Sequence, residues 1–255
     1  MSGRAPTPLT DDLFDEPPGS PLLSDQRAFM SLNAGAAFAG KRTYPEIQVV
    51  TSYLASKYGK ATELDQCKAM RMLEYLNYHE DHCLFLRPAS LDIVAAADAS
   101  YAEHEDAKSH SGGCIGFQGV DGMPSYFMFI SSKQPIVTKS SCESELVCLN
   151  TVGDHTEWLR QLVVEMELPG YISKPVIMQQ DNKSTIIVAG QGTGTFKRTK
   201  HIRVRYYWIK QLMDEGLLEL QYMPTKEIAA DLLSKPLVGQ QFKYLLRKVL
   251  GWVHM

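Results

Sequence analysis

The sequence predicts a mixed α/β domain preceded by a small all-helical segment. Three observations carry this. Short apolar runs bounded by turn residues appear first as a group of three, then alternate with stretches of helical periodicity. Upstream of them, residues 25–90 show helical spacing only. Of the 255 residues, 44% are hydrophobic and 22% charged, enough apolar side chain for one large core or two smaller ones.

Residues 1–24 read as a disordered tail, because Pro6, Pro8, Pro17, Pro18, Gly19 and Pro21 interrupt any regular element. Ile47, Val50, Leu54 and Tyr58 then recur at helical spacing behind Pro45, which lies early, where a missing N–H costs least. Thr62 can cap a further helix whose apolar side is Cys67, Met70, Leu73, Tyr75 and Leu76. Pro88 closes this unit. Residues 93–97 form a short buried strand ending in Asp98. Residues 113–118 and 126–130 make two more strands joined across Asp121-Gly122, a hairpin pair. Ser140 and Glu143 are spaced as a capping box that opens a helix running to Pro169, with Gly153 as the place where it could break. A strand at 176–178 leads to Asp181, followed by a short helix at 182–189 and a Gly-rich loop (Gly190, Gly192, Gly194). A helix at 199–215, a fifth strand at 217–222, a helix at 226–233 and a last one at 240–250 complete the chain. The division that follows is 1–24, 25–90, 91–237 and 238–255.

Composition excludes several classes. No apolar stretch approaches the ~18–20 residues of a membrane span, and the N-terminus lacks the basic-then-apolar order of a signal peptide. The five cysteines are odd in number and show no C-x-x-C pair, which favours a reducing compartment. A net charge of −3 argues against a general nucleic-acid binder. Yet residues 182–213 hold no acid, while Lys183, Lys197, Arg198, Lys200, Arg203, Arg205 and Lys210 all fall there. Such a patch fits a local phosphate contact as well as it fits a solvated face. Lys197, Arg198 and Lys200 also open a helix, where the macrodipole disfavours cations and free N–H groups favour an anion.

Four carboxylates stand out. Asp98 and Asp181 each follow an apolar run, and on neighbouring parallel strands they would converge at one edge of the sheet. An Asp at a strand end is also an ordinary boundary residue. Glu145 shares a helix face with Cys148, Leu149 and Val152. A Glu on such a core-facing stripe is costly without compensation, which a Lys or Arg partner would equally supply. Asp231 sits in the apolar run Ala229-Ala230-Asp231-Leu232-Leu233. Four acids meeting would repel one another, and a divalent cation would remove the conflict. Oxygen-only ligands suit Mg²⁺ or Mn²⁺, and two ions ~3.5–4 Å apart can clamp an in-line phosphodiester displacement.

At these residues the chain resembles the ribonuclease H of copia-type LTR retrotransposon polyproteins, from about residue 42 to 251. Arg42-Thr43-Tyr44-Pro45-Glu46-Ile47 is similar to R-T-R-P-D-I, which belongs to the C-terminal part of the reverse transcriptase. Asp98-Ala99-Ser100-Tyr101-Ala102 is similar to D-A-D-W-A, and Lys108-Ser109-His110-Ser111-Gly112 to K-S-T-S-G. Ser132-Lys133-Gln134 is similar to S-K-K-Q with one Lys fewer. Ser140-Ser141-Cys142-Glu143-Ser144-Glu145-Leu146 follows S-T-T-E-A-E-Y, and Asp181-Asn182-Lys183-Ser184-Thr185-Ile186 follows D-N-Q-S-A-I. Arg198-Thr199-Lys200-His201-Ile202 with Arg205-Tyr206 follows R-T-K-H-I-D-I-R-Y, and Ala230-Asp231-Leu232-Leu233-Ser234-Lys235-Pro236-Leu237 follows A-D-I-F-T-K-P-L. Each fragment is weak alone; together, in one order, they are strong.

The resemblance implies a ribonuclease H-like five-stranded mixed sheet with helices on both faces. It implies a two-metal hydrolase (Mg²⁺, with Mn²⁺ as the alternative) that cuts the RNA strand of an RNA–DNA hybrid, selected by backbone shape and 2′-OH contacts. Asp98, Glu145, Asp181 and Asp231 would be the catalytic metal ligands. Lys183, Lys197, Arg198, Lys200 and His201 would meet the nucleic acid. Further expectations are a reverse transcriptase as partner, no membrane, and a location in cytoplasm, nucleus or virus-like particles. The chain departs from the family in lacking any Tyr-x-Asp-Asp polymerase motif, so it is no working reverse transcriptase. The segment Tyr222-Met223-Pro224-Thr225-Lys226-Glu227 lacks the His that many ribonucleases H carry before the last Asp; slower turnover, or Lys226 standing in, follows from that. Two other functions keep the fold: a degenerate element product that only binds nucleic acid or a partner, and a nuclease or transferase directed at DNA. Retention of four acids disfavours the first, and the motif order disfavours the second.

Three features point elsewhere and are weaker. His79-x-x-His82-Cys83 has no second pair at zinc spacing and reads as surface histidines. The Gly190 loop lacks the Lys-Ser/Thr ending of a P-loop and reads as a flexible linker. Trp158 and Trp208 read as core.

Overall fold

The computed structural model describes residues 5–168, 173–191 and 200–252, with the side chains of 121 and 200–203 outside the description. Among the described residues, three helices come first: α1 (Gln26–Gly40), α2 (Gln48–Ala55) and α3 (Glu63–Tyr78). Asp25 caps α1 by accepting from the Ala28 N–H, and Thr62 opens α3 in a full capping box with Asp65. Pro45 starts a 3₁₀ turn that runs into α2.

Five strands form one sheet: β1 (Pro88–Ser100), β2 (His110–Gly119), β3 (Pro124–Lys133), β4 (Val176–Gln180) and β5 (Leu218–Tyr222). Their order is β3-β2-β1-β4-β5. The first three are antiparallel neighbours, and β4 and β5 run parallel to β1. The fold class is therefore as the sequence reads. Pro88 opens β1, and Asp98 lies inside the strand instead of after it, because pairing with β2 continues to Ser100↔His110.

The side chains of β1 sort the two faces. Ala95, Ala97 and Ala99 pack under α4 (Ser141–Glu165), α5 (Lys183–Gly190) and α6 (Lys200–Asp214). Ala96 faces the opposite layer, with Cys114, Tyr126 and Phe129. That layer is built from α1–α3 together with α7 (Asp231–Ser234) and α8 (Gly239–Leu250). The helical segment and the sheet thus bury one continuous apolar core; Ile47, Leu54, Met72 and Tyr75 are fully inaccessible within it.

Several expectations change. Residues 5–24 form no tail: Leu9, Leu13 and Phe14 are buried in the same core. Residues 21–23 pair with the start of α3 through Leu23 N–H to Ala61 O at 2.9 Å and Glu63 N–H to Pro21 O at 2.9 Å. Prolines preclude helix and sheet here without precluding packing. Helix α4 runs unbroken through Gly153, where a Cβ would come within 2.8 Å of the Trp208 ring; close packing of α6 outweighs the ~1 kcal/mol that glycine costs a helix interior. The expected helix at 226–233 is split into a 3₁₀ turn, Thr225–Glu227, and the short α7. Trp158 is 56% exposed, so it fills no core. His79 and His82 are half-buried against Tyr75, with His82 Nδ1 3.2 Å from Glu46 Oε1. All five cysteines are free thiols.

The packing around Phe14 sets a pH dependence. His104 and His110 are buried under it, joined Nε2 to Nδ1 at 3.0 Å, and His110 Nε2 meets Ser131 Oγ at 2.8 Å. Burial, then the nearby Lys133, pushes His104 down to about 4. Burial, then His104 and Lys133, pushes His110 down to about 3. Above ~pH 6.5 these rings are neutral folded or unfolded, so stability does not vary through them. As pH falls from there toward those folded values, the unfolded chain takes up protons that the fold refuses, and stability is lost. At pH 5 the loss is on the order of a few kcal/mol for the pair together. Melting temperatures of the protein and of a His104→Gln/His110→Gln variant between pH 8 and 5 check it. The variant should show a shallower decline below pH 6.5; parallel curves would refute the assignment.

Candidate active site

Four elements bring the acidic residues together. Asp98, fully inaccessible, occupies the β1 position between Ala97 and Ala99. Its neighbour across β2 is Gly112. A Cβ at Gly112 would lie 2.5 Å from the Ala230 carbonyl oxygen, and one at Gly113 would lie 2.5 Å from Val152 Cγ2. Two successive glycines, one on each face, therefore let α7 and α4 close on the sheet beside Asp98. The Cys148 thiol of α4 completes the contact by donating to the Asp98 carbonyl at 3.1 Å.

Glu145 enters from the first turns of α4. Ser140 Oγ accepts from the Glu143 N–H at 3.2 Å, and Glu143 Oε2 accepts from the Lys139 N–H at 2.7 Å. The cap fixes the helix so that Cys148, Leu149 and Val152 are buried, which carries Glu145 inward on the same stripe. Gln180 Nε2 donates to Glu145 Oε2 at 3.2 Å, and its Oε1 accepts from the Asn182 N–H at 2.9 Å. Asp181, half-buried, follows β4. One carboxylate oxygen each from Asp98, Glu145 and Asp181 lie within 4.8 Å of one another, the metal-capable group among the described residues.

Asp231 opens α7 and reaches the cluster through a cation. Lys235, one turn later, donates to Asp231 Oδ1 at 2.6 Å and to Asp98 Oδ1 at 3.2 Å, while Ser234 donates to Asp98 Oδ2. The crowding is visible in proton affinities. Burial, then the charges of Asp98 and Asp181, pushes Glu145 well above the usual carboxylate range. Burial, then Asp98, pushes Asp231 up to about 7 against the opposing pull of Lys235. For Lys235, burial alone would lower the ammonium, and Asp98 and Asp231 outweigh it and hold it above its ordinary value. One Lys does not balance this many buried carboxylates. An all-oxygen set with surplus negative charge fits a hard divalent cation such as Mg²⁺ or Mn²⁺.

All four expected carboxylates are thus placed at one end of the sheet. Ser234, Lys235 and Gln180 belong to the same constellation and were not singled out as site residues. The i, i+4 spacing of Asp231 and Lys235 was the available signal. Lys183 begins α5 beside Asp181 with its ammonium over the Tyr222 ring, 4.6 Å from the centroid. Lys197 and Arg198 lie outside the described residues, as do Gly192 and Gly194. Lys200 and His201 begin α6, and their side chains are likewise outside the description. Lys226 is exposed in the 3₁₀ turn before α7.

No protein-family profile matches the chain. It is 26% identical over 255 residues to the retrovirus-related Pol polyprotein from transposon RE2 of Arabidopsis thaliana, covering 94% of this chain and 17% of the polyprotein. It is 27% identical over 181 residues to the corresponding polyprotein from transposon TNT 1-94 of Nicotiana tabacum, covering 71% of this chain and 13% of that protein. The chain therefore spans less than a fifth of the length of these curated relatives. Among solved structures, the foamy viral protease-reverse transcriptase in complex with dsDNA superposes with a TM-score of 0.51 at 14% identity, covering 84% of this chain and 40% of that one. An RNase H1 isolated from compost covers 56% of this chain and 93% of its own, at 16% identity and a TM-score of 0.40. Strand order and helix placement together give the ribonuclease H-like fold. The chain is thus similar in sequence to retrotransposon Pol polyproteins and has a ribonuclease H-like fold behind a helical segment.

Proposed function

We propose that this chain is a metal-dependent endonuclease that hydrolyses the RNA strand of RNA–DNA hybrids as part of a retrotransposon polyprotein. The observation that carries the reading is the convergence of Asp98, Glu145 and Asp181 within 4.8 Å. Asp98, Glu145, Asp181 and Asp231 would hold two metal ions, the first three supplying the group already drawn together. The ions, when bound, supply positive charge where the phosphodiester gains negative charge and activate the attacking water. The chain's own groups prepare that charge. Gln180 orients Glu145, and Ser234 and Lys235 fix Asp98 from the α7 side. Lys183, with Lys197, Arg198, Lys200 and His201, would meet the hybrid's backbone.

The domain division proposed with this reading is a nuclease unit at 91–237 supported by 25–90 and 238–255, with the remainder of a reverse transcriptase as partner. No helix among the described residues is long and apolar enough to cross a membrane, and the proposed location is the cytoplasm or a virus-like particle. The test is cleavage of a labelled hybrid with and without Mg²⁺, with single-stranded RNA and duplex DNA as controls. Mg²⁺-dependent cutting of the hybrid's RNA strand alone supports the reading. Cutting of duplex DNA would make the chain a DNA-directed nuclease, and binding without any cutting would make it a degenerate binder.

The basic segment gives a separate expectation. Replacing Lys197, Arg198 and Lys200 by Gln should weaken unrelated hybrid sequences about equally. The log–log salt slope should flatten by about 0.9 for each lost phosphate contact on duplex. Anisotropy titrations at several salt concentrations check this; an unchanged slope would make the patch a solvated face.

A further inference from the structure

A second feature lies at the opposite edge of the sheet from β5. Strand β3 is an edge strand, and beside it opens a groove of about 560 Å³ between the end of α1 and the middle of α4. Among the described residues no carboxylate lines it. Its cations are Lys41 and Arg42, His155 adds an imidazole, and its hydroxyls come from Ser131, Ser132 and Thr151. On a chain of net charge −3, such a lining selects an anion. Phe38 is 67% exposed at the rim, and the Arg42 guanidinium stands over its ring, 5.4 Å from the centroid. An exposed aromatic face backed by a guanidinium is a stacking platform for a planar base.

We infer that this groove binds a single-stranded nucleic acid segment, cations to phosphates and Phe38 to a base. A duplex keeps its bases paired and stacked, out of reach of Phe38. An acidic peptide would satisfy the cations and leave Phe38 without a role. The groove's edge strand is also close to the acidic site in the sheet register. Ser131 pairs with Gly112 and Gly112 with Asp98, placing the groove's end two strand spacings, about 10 Å, from Asp98. A single-stranded extension of a hybrid engaged at Asp98 is long enough to reach it over that distance; this last step rests on the nuclease reading above.

The experiment uses the full chain carrying Asp181→Asn, with and without Lys41→Glu/Arg42→Glu or Phe38→Ala, in Mg²⁺. Fluorescence anisotropy follows five labelled probes: single-stranded DNA, single-stranded RNA, a blunt hybrid, and two hybrids with a single-stranded extension at one end or the other. Circular dichroism melts confirm folding; all three substitutions are at the surface. The charge-reversal pair should weaken single strands about tenfold or more. It should also flatten their salt slope by about 0.7 for each lost contact. Phe38→Ala should weaken them by about fivefold or more. The blunt hybrid should stay within twofold, and an extension should tighten the hybrid only when the groove is intact. Unchanged single-strand binding in both variants overturns the inference. So does an equal loss on the blunt hybrid, or displacement of the oligonucleotide by oligoglutamate of equal charge with no effect of Phe38→Ala. Expected single-strand behaviour with no binding of the blunt hybrid would sink the nuclease reading and leave the groove assignment standing.

Discussion

Asp181→Asn is expected to abolish hybrid cleavage, by about a thousandfold or more, while the metal-free protein melts no lower than the parent. The two halves have different causes. Asn keeps the size of Asp and loses the charged oxygen that closes the group formed with Asp98 and Glu145. A thousandfold corresponds to ~4 kcal/mol of barrier, a modest demand for deleting a ligand where charge stabilisation is worth several kcal/mol. Stability should move the other way. Asp181 is one of the charges that push Glu145 above the usual carboxylate range. A carboxyl raised in the fold adds stability fully below its unfolded value of ~4.3, and this is lost as pH rises through the raised folded value. At neutral pH the parent carries that cost, and removing Asp181's charge lessens it. Single-turnover cleavage assays and melts at pH 7 in EDTA decide the matter. Cleavage near the parental rate would place the metal elsewhere, and a large fall in melting temperature would make Asp181 structural.

Deleting residues 5–87 should leave a chain that does not fold cooperatively. The sheet face toward α1–α3 carries Cys114, Tyr126 and Phe129, and α7 and α8 add Leu232, Leu233, Phe242 and Leu245, all in one cluster with Ile47, Leu54, Met72 and Tyr75. Each large apolar side chain returned to water loses ~1.5–3 kcal/mol. Four or five of them equal the ~5–15 kcal/mol by which domains of this kind are stable. The expected product is aggregated, with exposed apolar surface and no sharp transition on heating. A soluble fragment 88–255 that melts cooperatively and binds hybrids as well as the full chain would show the helical segment to be dispensable. A milder probe, Leu54→Ala, should cost about 2–5 kcal/mol without touching any acidic residue, so its effect on cleavage should follow the folded fraction alone.

The sequence by itself determined most element types and the mixed sheet, and it marked the four acids as candidates. Those signals are local: apolar runs of strand length, capping residues such as Thr62 and Ser140, and the one-turn spacing that puts Glu145 on the stripe with Cys148, Leu149 and Val152. Local signals say where a side chain points on its own element, and they were enough to mark Glu145 as an inward acid. They were silent on what lies across from it. That Gln180 reaches Glu145, and that one lysine touches both Asp98 and Asp231, depend on strand order and on the glycines that let α7 close on β2. The proline-rich start misled for the same reason: prolines report the absence of helix and sheet, while the burial of Leu9, Leu13 and Phe14 depends on surfaces formed far away in sequence. Tertiary structure alone decided that residues 5–87 cover the second face of the sheet. Apolar burial is non-directional, so a stripe on a helix announces that it will be covered and leaves its partner to be settled when the whole chain packs.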